Sequence, residues 1–139
     1  MLKEYLILTI SVLITAILSS LILAFIFSPL AAKFLKRPFS YKHSWLYLVL
    51  QDTLGHWLML LIYFMLGGYR PAVSPVPQFW LENLAAILFI GLALNKSWLK
   101  NKGSIPNLKG LGLAAWGTFL ILVKDAIMLA CFYWYMTRP

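Results

Sequence analysis

The sequence predicts an all-α membrane protein, a four-helix transmembrane bundle with short loops, and three observations lead there. First, 62% of the 139 residues are hydrophobic and only 12% are charged, with a mean hydropathy of +0.82. A soluble domain is about half apolar and about a quarter charged, so this chain has too little polar surface to coat a globule in water. Second, the apolar residues fall into four runs. Third, the basic residues collect between those runs, while three of the four acids lie within them.

The first run, YLILTISVLITAILSSLILAFIF, extends from Tyr5 to Phe27. Its apolar core is too long for the ~7–15 residues of a signal-peptide h-region, and its positive charge follows rather than precedes it. It is expected to be a retained helix. The second run covers about Ser44 to Leu66 and the fourth about Leu111 to Met136. All three supply the roughly 20 apolar residues that cross a ~30 Å hydrocarbon core. The third, from about Phe79 to Leu94, is short; Asn95 to Trp98 extend it, and an interfacial or re-entrant segment is the alternative. The expected helices are 5–30, 44–67, 79–98 and 110–136, in a single domain over residues 1–139.

Orientation follows from the connectors. Lys33, Lys36, Arg37 and Lys42 lie in the first and Lys96, Lys100, Lys102 and Lys109 in the third, whereas the middle one has only Arg70. Lysine and arginine favour the cytoplasmic side, which places both termini and the middle connector outside, an N-out/C-out arrangement. Trp45 and Trp98 would mark the cytoplasmic boundary. Tyr69, Phe79, Trp80 and the FYWY run at Phe132 to Tyr135 would mark the outer one. Pro71, Pro75 and Pro77 are expected to hold the middle connector extended rather than helical.

The formal net charge of +8 comes from twelve Lys and Arg against four acids. In this setting topology and anionic headgroups account for it, and nucleic acid is not an expected partner. The expected location is an integral membrane protein of the bacterial inner membrane, in contact with lipids. Cys131 stands alone, so no intrachain disulfide or cysteine metal site can form, and it reads as a small buried hydrophobe.

On the first helix Ser11, Thr15 and Ser19 recur at spacing four, as do Ala16, Ser20 and Ala24. Small residues at that spacing allow close helix approach in lipid. They predict a packing seam within the bundle, or between copies of it.

The polar residues inside the runs are the candidate site. Asp52 and His56 are four apart on the second helix, hence on one face, with Gln51 and Gly55 nearby. A charge at bilayer depth is costly unless paired or wetted, so these groups must face other helices or a cavity. Lys124 and Asp125 lie in the fourth run. His56 is ~18 Å in from Ser44 and Lys124 ~20 Å in from Leu111, which puts them at similar depth on helices running the same way. An Asp52–Lys124 ion pair and a His56–Asp125 hydrogen bond are expected. Adjacent residues diverge by about 100° around a helix, so one of Lys124 and Asp125 is expected to face a different partner or to snorkel. Glu82 and Asn83 read as an interfacial pair about one turn inside the third helix, favourable to its dipole.

No nucleophile motif or phosphate-binding loop occurs, and enzymatic activity is not expected. His43 and His56 lie ~20 Å apart along one helix and cannot share an ion or a haem within a protomer; a pair of His56 residues across an oligomer is the alternative. Neither a metal nor a cofactor is expected. There is no internal repeat of the kind that builds transporters. The leading expectation is therefore a non-enzymatic role: binding a membrane partner, as an accessory subunit or an immunity- or inhibitor-type protein. An oligomeric channel or proton-coupled transporter, using the Asp52, His56, Lys124 and Asp125 set, is the rival. An anchor subunit of a redox complex is third.

Overall fold

The computed structural model describes residues 2–36, 38–65, 76–96 and 107–138. They form four helices: α1 (Leu2–Leu35), α2 (Tyr41–Met65), α3 (Val76–Leu94) and α4 (Asn107–Met136). Three segments are long and apolar enough to cross a membrane, namely Leu6–Leu35, Tyr41–Ile62 and Lys109–Met136; Leu81–Leu94 of α3 is a shorter apolar stretch.

The helix ends have local causes. α1 runs through Pro29, which lacks the N–H that would bond the Phe25 carbonyl, and stops where Lys36 takes a left-handed φ of 51°. At 34 residues it is ~50 Å long, well beyond a hydrocarbon core. The sequence reading ended it at residue 30; packing against α2 carries it on, with Ala31 and Leu35 buried. α2 begins at Tyr41 rather than 44 because Ser40 caps it: Ser40 Oγ accepts from the His43 N–H at 3.2 Å. α3 starts at Val76, so Pro77 sits in its first turn, where a missing N–H costs no helical bond. Pro77 is thus helical and does not belong to an extended connector. Tyr69, Arg70, Pro71, Pro75, Trp98, Lys100 and Lys102, and the side chains of Phe79 and Trp80, lie outside the described residues.

Side-chain contacts fix the directions. Trp57 Nε1 reaches Thr9 Oγ1, Trp45 Nε1 the Ile17 carbonyl and Tyr41 Oη the Leu21 carbonyl, so α1 and α2 are antiparallel. Tyr47 meets Gly91 and Gln51 meets Ile87, which makes α2 and α3 antiparallel. Gln51 also meets Ala114, and Asp52 meets Lys124, so α2 and α4 are parallel. Helix α2 touches all three of the others.

The core occupies the half of the bundle near the α1–α2 turn. Phe27 stacks on Tyr47 at 5.4 Å between centroids and meets Phe39 edge-on at 6.3 Å, with Leu48, Leu94, Leu113 and Leu120 around them. The stripe of α1 that packs inward is Ala16, Ser20 and Ala24, each essentially fully buried. Ser11, Thr15 and Ser19 lie on the adjacent, more exposed face, and their hydroxyls bond carbonyls of the preceding turn at 2.7–2.9 Å. Of the two rows the sequence offers, it is Ala16, Ser20 and Ala24 that packs inward within the bundle.

The far end of α4 is open. On α4 every residue from Ala126 to Arg138 is exposed. Cys131 is among them, so the expectation of a buried thiol is overturned. The guanidinium of Arg138 lies 3.6 Å from the centroid of the Trp134 ring.

Candidate functional site

The polar residues of α2 and α4 meet where the packed half gives way to the open end of α4. Asp52 is almost completely buried, with its side chain 1% exposed. Lys124 approaches it from α4, with Nζ 2.5 Å from Asp52 Oδ2 and 2.9 Å from Asp125 Oδ1. The His56 ring lies between the same two carboxylates. Its Nδ1 is 2.8 Å from both Oδ1 and the main-chain oxygen of Asp52, and its Nε2 is 3.2 Å from Asp125 Oδ2. The result is a closed ring of four groups, two acids alternating with two bases.

The ring explains how such residues tolerate the interior. Each carboxylate has two basic partners, so neither charge is left in low dielectric without an answer. Both nitrogens of His56 face oxygen, and a ring carrying N–H on each brings the four-group charge to zero; the Nδ1 hydrogen bond goes to the Asp52 main-chain oxygen, and Asp52 Oδ1 meets the imidazole through charge alone. Lys124 and Asp125, adjacent on α4, both join the ring. The long lysine stem makes this possible, because its ammonium can swing back across the ~100° between neighbouring positions.

Next to Asp52 on α2, Gln51 ties three helices together. Its Nε2 lies 3.2 Å from the Ile87 carbonyl of α3, and 3.1 Å from both the Ala114 carbonyl and Thr118 Oγ1 of α4. The amide fits because two facing residues are glycines. A Cβ at Gly91 or Gly117 would run into the Gln51 carboxamide. Gly55 permits a second close approach, since a Cβ there would stand 2.8 Å from Ile87 Cγ1 and 3.0 Å from Ile87 Cα. Gly91, Gly117 and Thr118 were not singled out in the sequence. Thr118 carries a signal in retrospect: it falls one helical face with Ala114 and Asp125, at spacings of four and seven. Glycines are common in membrane helices, and nothing marked these two.

Glu82 and Asn83 are not brought to the ring. Because α3 starts at Val76, they lie nearly two turns inside it. Asn83 is buried and Glu82 half-buried. His43 stays with Ser40 at the start of α2.

Counting histidines alone also missed a grouping. Ligand atoms of Asp52, His56 and Asp125 lie within 4.8 Å of one another, a set of donors that suits a divalent cation by type. Lys124 already presents a cation to both of those carboxylates, so a metal would have to displace the ammonium to use them.

No protein-family model, curated protein or solved structure matches this chain. Its function must be argued from the site and surfaces alone.

Proposed function

We propose that this chain is an integral protein of a bacterial inner membrane that acts without catalysis, by binding another membrane-embedded protein as an accessory subunit or an immunity- or inhibitor-type partner. In this reading all four helices span, both termini and the α2–α3 connector lie outside, and the basic connectors face the cytoplasm. The ionic ring then serves as a clasp that holds α4 to α2 at mid-bundle, so that the segment beyond it is presented in a fixed direction.

The observation that carries this reading is the state of α4 past Asp125. A helix packed in a bundle has an inner side, yet from Ala126 to Arg138 no position is buried. The segment ends in Phe132, Tyr133, Trp134, Tyr135 and Arg138, and aromatic residues and arginine are the types enriched at protein interfaces. A partner packed on this segment would supply the van der Waals contacts and hydrogen bonds that drive helix association in lipid.

The test is photocrosslinking in cells, with a reactive residue at Leu129 or Tyr133. A single adduct with one larger membrane protein is the expected result. Adducts with lipid only would sink the reading.

An oligomeric channel or proton-coupled transporter is the second reading. The ring supports it at one edge, where the His56 and Asp125 side chains are 22% and 23% exposed. Crosslinked homo-oligomers, together with proton flux in liposomes that His56→Gln abolishes, would put that reading first.

A further inference from the structure

A groove between α1 and α4, far from the ionic ring, has no role in the reading above. It encloses about 330 Å³ and is lined by Phe34, Gly112, Ala115, Trp116 and Phe119. Its walls are almost wholly apolar. Phe34 lies against Gly112, where a Cβ would stand 2.8 Å from the ring, and Trp116 meets Phe119 edge-on at 5.7 Å. The groove is open to the surroundings.

The charges sit at one end. Lys33 immediately precedes Phe34, and Lys36 follows at the end of α1. Lys109 is in the first turn of α4 and shares a face with Gly112 and Trp116, at spacings of three and seven. The lining from Gly112 to Phe119 runs ~10 Å along α4, with Lys109 about one turn before it. No acid lies within α1 after Glu4 or within α4 before Asp125. The local field at this end is therefore positive.

We infer that this groove binds an anionic glycerophospholipid, with one acyl chain between Phe34 and Trp116 and the phosphate at Lys33, Lys36 and Lys109. An apolar slot ~10 Å long fits part of an acyl chain. Three lysines at this end of α1 and α4 favour a phosphate with no compensating cation over a zwitterionic headgroup. The inference rests on the chain spanning a membrane and is independent of the protein partner.

The test uses the purified full chain in neutral detergent, titrated with phosphatidylglycerol or phosphatidylcholine and read by native mass spectrometry. The expected result is about tenfold or greater preference for phosphatidylglycerol. Ala115→Trp, at an exposed position on the groove wall, should fill the slot and abolish retention. The pair Lys33→Gln and Lys109→Gln should reduce the preference to near unity, and it keeps the test alive if the tryptophan variant does not fold. Equal retention of the two lipids by the unaltered chain overturns the inference. So does phosphatidylglycerol binding that survives both changes, or retention of glycerol 3-phosphate lacking any chain. Carbonate extraction separates the two levels. A chain that stays with the membrane but shows no preference defeats the lipid site alone, whereas a chain released by carbonate defeats the membrane reading and the site with it.

Discussion

Lys124 Nζ lies 2.5 Å from Asp52 Oδ2, joining α4 to α2 across 72 residues of sequence. The lysine side chain is 9% exposed and the aspartate 1%, so water contributes little to solvating either charge. Removing one member of such a pair leaves the other in low dielectric, whereas removing both can be close to neutral.

Asp52→Leu is accordingly expected to destabilise the bundle by about 3–5 kcal/mol. Adding Lys124→Leu should recover much of the loss, because Asp125 keeps His56 as its partner. Thermal unfolding of the single and double variants in detergent measures the coupling. Losses that simply add would show that the two side chains do not interact.

His56 spans two carboxylates with nitrogens on opposite edges of one ring. Glutamine can donate from only one end, so His56→Gln cannot make both contacts. It should fold, lose about 1–3 kcal/mol of stability, and keep its crosslinked partner. A stable, folded variant that has lost the biological phenotype would instead favour a proton path, since imidazole is the side chain that titrates near neutral pH.

Two glycine substitutions should differ in kind. At Gly117 an added methyl meets the end of the flexible Gln51 side chain, which can move aside at the expense of its hydrogen bonds. Gly117→Ala should therefore cost about 1–3 kcal/mol, and Gln51→Ala should mask most of that effect. At Gly55 the methyl meets the Ile87 backbone, so α2 and α3 must separate. Gly55→Ala should be the more damaging, with no rescue from Gln51→Ala; the same melts compare them.

The orientation is open to a direct check. A reporter fused after Pro139 should register the non-cytoplasmic side, and one inserted between Lys96 and Lys109 the cytoplasm. The basis is four Lys or Arg in each of the first and third connectors against Arg70 alone in the middle one. A cytoplasmic C-terminus would mean an odd number of spans, with the shorter α3 the first suspect.

The sequence by itself determined the helical class, the number of apolar segments and the residues available for a site. Those follow from run length and composition, which need no knowledge of neighbours. It also placed Asp52 and His56 on one face of α2, because a spacing of four is fixed by the helix itself. What only the tertiary structure decided was how faces of different helices meet. Rotation of α4 about its axis, and the reach of the lysine stem, brought both Lys124 and Asp125 into the ring. Close approach at Gly91 and Gly117 turned Gln51 into a three-helix tie. Packing against α2 selected the Ala16, Ser20 and Ala24 row over the Ser11, Thr15 and Ser19 row, and the departure of α4 from the bundle left Cys131 exposed. Each of these depends on side chains distant in sequence filling the same space, a condition that periodicity along one helix cannot express.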